Sequence, residues 1–187
     1  MKKYFELLAA RLPEGRFRHS LGVADTAAGL AVKNGIDPEQ ARLAGLLHDY
    51  ARDLPPGRLL ELAEEAGLIS CEIERRLPLL LHGPVGALLL ERELGITDKA
   101  VLQAVARHTV GAPAMTPLDK IIYLADVIEP GRQFAGVHTL RQAAAADLDT
   151  AFLKALEATI VYVLDREQLL HPATVEARNF ILMTRGG

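Results

Sequence analysis

The 187-residue sequence contains a single cysteine, Cys71, and no tryptophan. One thiol excludes an internal disulfide framework and any zinc site built from several thiolates. The first residues, Met1–Glu6, place an acidic side chain where a signal peptide has its apolar centre. No stretch reaches the roughly 18 consecutive apolar residues of a membrane span. These absences predict a cytoplasmic protein that does not bind a membrane.

Segments that alternate apolar and polar residues, and so favour β-strands, are also missing. Half of the residues are hydrophobic, mainly alanine and leucine, and β-branched residues are few outside 101–110 and Ile121-Ile122. The length suits one domain, because single domains typically hold about 150 residues and can reach about 250. We therefore predict an all-α fold, a single helical bundle over residues 1–187.

Long runs of one charge sign are absent as well. The net charge is −3, and acidic and basic side chains mix along the chain. This balance argues against a dedicated nucleic-acid-binding protein. It leaves room for a local basic pocket that binds a small acidic substrate.

Prolines and capping residues predict where several helices begin. Thr97 is predicted to cap the helix that leads to His108. Pro84 is predicted to begin a helix directly after His82. The free N–H groups at such a helix start suit an anion, so phosphate is expected there.

Histidines and aspartates are concentrated at or near the ends of apolar helices. A histidine on an apolar face is costly to bury unless it forms a hydrogen bond or binds an ion. Imidazole and carboxylate groups together suit iron, manganese, cobalt, nickel or zinc, whereas calcium and magnesium prefer oxygen ligands. The residues are His19, His48, Asp49, His82, His108 and Asp126.

This set is larger than the four ligands of a tetrahedral zinc site. A carboxylate can bridge two ions, so these side chains and water suit either one ion or a pair about 3.5–4 Å apart. A pair of ions is the arrangement that supports in-line attack on phosphorus. The sequence leaves the number of ions open.

Ordinary structural roles are the alternative for each polar residue. A lone histidine is more often a hydrogen-bonded core or surface group, and we assign that role to His138 and His171. Asp119 and Glu129 are interpreted as helix caps or solvated charges. Asp53 has the same interpretation, but its position in the turn after the His-Asp dipeptide also suits a supporting or proton-transfer role.

The order of the candidate ligands resembles the HD superfamily of metal-dependent phosphohydrolases, which has a histidine, then His-Asp, then a distant aspartate. Longer strings, spread from about residue 19 to residue 179, are similar to the bacterial YqeK-type symmetrical diadenosine tetraphosphate hydrolases. These strings are Arg18-His19-Ser20, His48 to Pro55, His82-Gly83-Pro84, Arg107-His108-Thr109, Asp119 to Asp126, Ile128 to Arg132, and His171-Pro172-Ala173-Thr174.

The resemblance implies an all-helical HD domain, an iron-containing site and cleavage of a dinucleoside tetraphosphate into two nucleoside diphosphates. Manganese, cobalt, nickel or zinc are the alternative ions. The expected ligands of the principal ion are His19, His48, Asp49 and Asp126, with Asp49 as the natural bridge. His82 and His108 either complete a second metal site or hold substrate phosphate as imidazolium donors.

Asp49, Asp53, His82 and His108 are the candidate catalytic groups. Arg16 and Arg132 are candidate phosphate contacts, although, like Lys120, each is also interpretable as a surface charge. The resemblance adds the stretch from His171 to Thr174 as an approach to the nucleotide. The full set of predicted substrate contacts is Arg16, His19, His82, Gly83, Pro84, Val85, His108, Thr109, Asp126, Arg132, His171, Pro172, Ala173 and Thr174.

Two other functions stay open at this point. The first is an HD-type nucleotidase that acts on mononucleotides or on guanosine tetraphosphate with the same metal core. The second is a nucleotide-binding protein without turnover, against which the complete set of ligands argues. The expected partner is a nucleotide, and a homodimer is left open.

Overall fold

The chain folds as an assembly of α-helices in a computed structural model that describes residues 1–184. These residues contain no β-strand, which confirms the all-α prediction, and the last three residues of the predicted domain lie outside the described part. The helices are α1 Lys2–Arg11, α2 Glu14–Lys33, α3 Pro38–Leu47, α4 Pro56–Glu65, α5 Glu72–Arg76, α6 His82–Leu94, α7 Lys99–Arg107, α8 Pro117–Ile128, α9 Val137–Ala146, α10 Leu148–Asp165 and α11 Pro172–Thr184.

None of the helices in this part of the chain is both long enough and apolar enough to cross a lipid bilayer. A short 3-10 helix, Pro78–Leu81, runs directly into α6.

Helices α2 and α3 form a close antiparallel pair. Gly45 makes this approach possible, because a Cβ atom there would lie 3.0 Å from Cα of Ala24 and 3.1 Å from the carbonyl oxygen of Val23. The pair brings the C-terminal end of α3, which carries His48, beside His19 on α2, and the two imidazole ring centroids are 5.2 Å apart.

Helices α6 and α7 also cross closely, and Gly83 lies at the crossing. A Cβ atom on Gly83 would lie 2.8 Å from the carbonyl oxygen of Ala106 and 2.9 Å from Oγ1 of Thr109. Helix α6 begins at His82, not at Pro84 as predicted, because the preceding 3-10 helix continues into it. Pro84 therefore does not form the open helix start at which a phosphate was expected.

The N-terminal cap of α7 is Asp98, and the prediction of Thr97 was wrong by one residue. The Asp98 carboxylate accepts hydrogen bonds from the backbone N–H groups of Ala100, at 2.9 Å, and Val101, at 3.2 Å. Thr97 is exposed. A carboxylate one position later satisfies two of the free N–H groups at the helix start.

Asp119 connects α7 to α8. As predicted, it caps a helix, because its Oδ2 accepts from Thr116 N at 3.0 Å, but it is fully buried and not a solvated charge. The same oxygen accepts from Gln103 Nε2 at 2.9 Å and from Arg107 Nη1 at 3.1 Å. These bonds fix the end of α7, which leads to His108, against α8, which carries Asp126.

Candidate metal centre and active site

Three histidines share one arrangement, in which ring Nδ1 lies close to the backbone carbonyl oxygen three residues earlier. The distances are 2.7 Å for His48, 2.6 Å for His82 and 2.7 Å for His108. A carbonyl oxygen only accepts hydrogen bonds, so each Nδ1 carries the hydrogen, and the lone pair of the neutral ring is on Nε2. The backbone thereby fixes three rings with Nε2 available as a ligand atom.

His19 has the same orientation, but a side chain holds it. Its Nδ1 lies 3.1 Å from Oε1 of Glu129, which is 5% exposed. Glu129 is the C-terminal cap residue of α8, as one of its two interpretations held, but it is buried and not a solvated charge. The sequence carries one signal for this contact, because Glu129 follows Asp126 by one helical turn and so emerges on the same side of α8.

Asp49 lies at the centre of the four imidazoles. Its Oδ2 is 3.4 Å from Nε2 of His48 and 3.9 Å from Nε2 of His19. Its Oδ1 is 3.2 Å from Nε2 of His82 and 3.8 Å from Nε2 of His108. The two carboxylate oxygens thus face two different pairs of histidines, which is the geometry of a bridging ligand.

Asp126 faces the first of these pairs. Its Oδ1 is 3.0 Å from Nε2 of His19 and 3.9 Å from Nε2 of His48. The described residues therefore bring together all six ligand candidates in two adjoining groups. One group is His19, His48 and Asp126, and the other is His82 and His108, with Asp49 between them.

The electrostatics of the cluster keep its carboxylates ionised. Burial would raise the pKa of Asp49, but the neighbouring His48, His82 and His108 hold that pKa well below its usual range. Burial likewise opposes ionisation of Asp126, and its contacts with His19, His48 and Arg132 outweigh burial, so the pKa of Asp126 is also strongly lowered.

The histidines of the cluster shift in opposite directions. Burial, together with the neighbouring His82 and His48, lowers the pKa of His108 to about 3, so this ring is neutral at ordinary pH. Burial also acts to lower the pKa of His48, but the carboxylates of Asp49 and Asp126 outweigh it and raise that pKa.

The donor set fits a divalent transition metal. Nε2 of His82 and Nε2 of His108 are 3.0 Å apart, and with hydrogen on both Nδ1 atoms their lone pairs face each other. Nε2 of His48 is buried and has no hydrogen-bond partner among residues 1–184. Lone pairs directed at one another, beside two ionised carboxylates, are stabilised by a cation.

Both predicted phosphate-binding arginines contact the carboxylates of the cluster. Arg16 Nη1 donates to Asp49 Oδ2 at 2.9 Å. Arg132 Nε donates to the backbone carbonyl oxygen of Asp126 at 2.8 Å, and its Nη2 donates to the carboxylate of the same residue. The arginine side chains keep 29% and 40% of their surface exposed, so each has further N–H groups directed towards solvent.

A cavity of about 840 Å³ lies beside the cluster. The exposed carboxylate of Asp53 is part of its wall, close to the candidate phosphate contacts. Lys120 is not in this wall and pairs with Asp149 at 2.6 Å. The polar side chains that line the cavity are Arg16, Arg18, His19, Asp53, Glu129 and Arg132.

The residues around Pro84 mainly pack the helices. Val85 is fully buried, and Gly83 is covered by α7. The hydroxyl of Thr109 lies 3.3 Å from Nε2 of His82 and 3.5 Å from Nε2 of His108, so it borders the second group of ligands. Contact of Gly83, Pro84 and Val85 with a substrate stays a prediction.

A separate polar group surrounds His171, which is 5% exposed. Its Nε2 lies 3.2 Å from Glu74 Oε1 and 3.4 Å from Cys71 Sγ. Ala173 N–H donates to its Nδ1 at 3.2 Å, so the hydrogen of this neutral ring is on Nε2. This tautomer is the reverse of that in the cluster and disfavours a metal ion here, although Cys71, Glu74 and His171 lie close enough together to hold one.

The other residues of the predicted nucleotide approach differ in exposure. Thr174 is buried, and its hydroxyl donates to the carbonyl oxygen of Val110 at 2.9 Å. Pro172 is exposed and Ala173 is partly exposed. His138 is exposed, in agreement with a surface role.

Comparison with known proteins finds relatives that match more than nine tenths of the chain. The protein named symmetrical bis(5'-nucleosyl)-tetraphosphatase from Halalkalibacterium halodurans is 40% identical over 97% of this chain and 96% of that protein. The protein of the same name from Bacillus subtilis is 37% identical over 92% of each chain.

A solved structure gives the same result for the fold. It is described as a predicted HD superfamily hydrolase involved in NAD metabolism from Clostridium acetobutylicum. The two chains superpose with a TM-score of 0.94 and 44% identity, over 98% of this chain and 97% of the other. The HD domain family model matches residues 16–131, which include every candidate metal ligand. This chain therefore belongs to the HD domain family.

Proposed function

We propose that this protein is a divalent-metal-dependent hydrolase that cleaves dinucleoside tetraphosphates, such as diadenosine tetraphosphate, symmetrically into two nucleoside diphosphates. The central observation is that four histidine Nε2 atoms face the two oxygens of Asp49, beside a cavity that Arg16, Arg18 and Arg132 border. Full-length relatives that carry the name of this activity support the choice of substrate.

The ligand assignment follows from the two groups around Asp49. His19, His48, Asp126 and Oδ2 of Asp49 would hold one ion. His82, His108 and Oδ1 of Asp49 would hold a second. A bound divalent ion supplies charge neutralisation and lowers the pKa of water towards about 7. Iron is the proposed ion, with manganese, cobalt, nickel and zinc as alternatives that metal analysis of the purified protein would distinguish.

A metal-ligand role for His82 and His108 is favoured over a role as imidazolium donors. Both Nδ1 atoms donate to backbone carbonyl oxygens, and the two Nε2 atoms are 3.0 Å apart. Two imidazolium rings with hydrogens on both Nε2 atoms would repel each other at this distance. The low pKa of His108, about 3, agrees with a neutral ring.

The arginines bind and orient the polyphosphate. Arg16 donates to the carboxylate of Asp49, Arg132 donates to the carboxylate and the backbone carbonyl oxygen of Asp126, and each keeps other N–H groups for phosphate oxygens. Because each arginine is fixed to a ligand carboxylate, a bound phosphate is held next to the cluster. Asp53, exposed in the same cavity, is our candidate for proton transfer to the departing diphosphate.

Symmetrical cleavage follows if the arginines hold one nucleoside diphosphate half beside the cluster. Attack of water at the second phosphorus, counted from the nucleoside of the held half, then releases the other half. That half is also a nucleoside diphosphate. The nucleoside diphosphate should accordingly inhibit more strongly than the monophosphate. The sequence from His171 to Thr174 is our candidate for contact with the nucleoside, through exposed Pro172 and partly exposed Ala173.

Turnover of a substrate panel tests the proposal. The purified protein should hydrolyse diadenosine tetraphosphate much faster than adenosine mononucleotides or guanosine tetraphosphate, and a chelator should stop the reaction until a divalent ion is restored. Faster hydrolysis of guanosine tetraphosphate would support the general nucleotidase instead. Binding of nucleotides without turnover would support the non-catalytic alternative.

The remaining proposals concern the protein as a whole. We propose one domain over residues 1–187, a cytoplasmic location and, as an assembly state to be tested, a homodimer. Fractionation of cells tests the location. Light scattering of the purified protein tests the dimer.

A further inference from the structure

Glu129, the residue that follows α8, contacts the candidate metal ligand His19. The contact is to ring atom Nδ1, on the side of the imidazole opposite to Nε2. Its Oε1 lies 3.1 Å from Nδ1 of His19, and its Oε2 accepts the backbone N–H of Gly131 at 2.5 Å. The carboxylate is buried, and Nε of Arg132 lies 3.9 Å from its Oε1. Each of its oxygens therefore has a separate hydrogen-bond donor.

The surrounding backbone leaves room for this carboxylate only because two neighbours lack side chains. A Cβ atom on Gly22, one turn after His19 on α2, would lie 2.7 Å from Oε2 of Glu129. A Cβ atom on Gly131 would lie 3.0 Å from both carboxylate oxygens. Neither glycine has a positive φ, so the close approach of the carboxylate, and not backbone conformation, requires glycine at these positions.

We propose that Glu129 is a positioning residue that fixes the ring and the tautomer of His19, so that Nε2 of His19 is available to the metal ion. This inference rests on the proposed function, because the role of His19 as a ligand belongs to that proposal. A carboxylate that accepts the hydrogen of Nδ1 keeps the lone pair on Nε2 and prevents rotation of the ring. The other three imidazoles obtain the same restraint from backbone carbonyl groups, which a side-chain substitution does not remove.

A glutamine at position 129 cannot replace the carboxylate. An amide group has one oxygen, whereas His19 Nδ1–H and Gly131 N–H both need an acceptor. If the amide oxygen faces Gly131, its NH2 group faces His19, and the ring must move its hydrogen to Nε2 or lose its partner. If the amide oxygen faces His19, the NH2 group opposes Gly131 N–H and disturbs the turn. Glu129→Gln therefore changes hydrogen bonding with almost no change in volume.

The test compares the full-length parent with Glu129→Gln in two measurements. The first is 15N–1H NMR of the histidine rings in the chelator-treated protein, with the His19 signals identified from a His19→Asn variant. We expect the parent to carry hydrogen on Nδ1 of His19, and the variant to show an increased Nε2–H fraction or a mobile ring. The second is calorimetric titration with Co²⁺, whose affinity should fall about 10- to 100-fold.

Two further variants separate positioning from general stability. Glu74→Gln removes another buried glutamate that contacts a histidine and accepts backbone N–H groups, so it should lower stability while leaving the Co²⁺ affinity within about twofold. Gly22→Ala displaces the Glu129 carboxylate without changing its charge and should weaken Co²⁺ binding in the same direction as Glu129→Gln.

The inference is overturned if folded Glu129→Gln keeps both the parent tautomer of His19 and the parent affinity for Co²⁺. It is also overturned if Glu74→Gln weakens Co²⁺ binding as much as Glu129→Gln does, since the effect would then be one of stability. If Glu129→Gln fails to fold, Gly22→Ala provides the test, and an unchanged Co²⁺ affinity in folded Gly22→Ala would overturn the inference. Failure of the proposed function looks different, because the parent protein itself would then bind no Co²⁺ and hydrolyse no tetraphosphate.

Discussion

Replacing Asp49 by asparagine is expected to abolish hydrolysis without unfolding the metal-free protein. The side-chain oxygen of asparagine can still accept from Arg16, and its NH2 group can donate to Nε2 of His82, which lies 3.2 Å from Oδ1 of Asp49. A hydrogen bond gained there contributes about 1 kcal/mol. Loss of the charge removes the attraction of Asp49 to Arg16 and to the histidines, but it also removes the cost of burying a carboxylate, so the two effects partly offset each other. The free energy of unfolding should therefore fall by no more than about 3 kcal/mol, which leaves the metal-free variant folded.

A divalent ion should stabilise the parent protein but not this variant. An ion present at about 100 times its Kd stabilises the folded state by about 2.7 kcal/mol. For a protein of this length, such a gain raises Tm by about 5–10 °C. The assay is thermal unfolding with and without Co²⁺ after chelator treatment, followed by hydrolysis measurements on the same samples. A folded Asp49→Asn variant that keeps both the Co²⁺-dependent rise in Tm and parental turnover would refute the assignment of Asp49 to the metal site.

Three further predictions follow from single contacts. Asp119→Ala should lower the free energy of unfolding by about 3 kcal/mol, because it removes a buried carboxylate that accepts three hydrogen bonds. A loss below about 1 kcal/mol in chemical denaturation would contradict this. Arg132→Gln should raise KM for the tetraphosphate about 10-fold or more with little loss of metal, and an unchanged KM would exclude the phosphate contact. Tyr50→Phe should cost about 1 kcal/mol at pH 8, because the hydroxyl donates to Glu93 at 2.7 Å. Burial and this bond raise the pKa of Tyr50 to about 12, above its usual 10. The stability advantage of the parent over Tyr50→Phe is therefore complete below pH 10 and should shrink from pH 10 to 12. A stability difference that does not change with pH would contradict this.

The sequence predicted the fold class and the residues of the cluster because both depend on local patterns. Apolar periodicity without alternation predicts helices. Histidines at the ends of such helices are unusual enough to be interpreted together, and His48-Asp49 does lie at the end of α3, where both side chains point to one place. The capping box at the start of α8 is equally local, because Thr116 and Asp119, which form it, are only three positions apart.

Other features depend on contacts between distant parts of the chain. The burial of Glu129 requires α2 to pass so closely that Gly22 touches the carboxylate, which a pattern within one helix does not encode. The start of α6 at His82 follows from the 3-10 helix before it, which residue preferences around Pro84 do not indicate. The burial of His171 depends on Glu74, which lies 97 positions away.

The products formed from diadenosine tetraphosphate distinguish symmetrical cleavage from every other position of the scissile bond. Purified protein with a restored divalent ion should be incubated with this substrate, and the nucleotides separated by chromatography at early times. Symmetrical cleavage should yield ADP as the only nucleotide product, two molecules for each substrate consumed. Formation of ATP and AMP in equal amounts would contradict it.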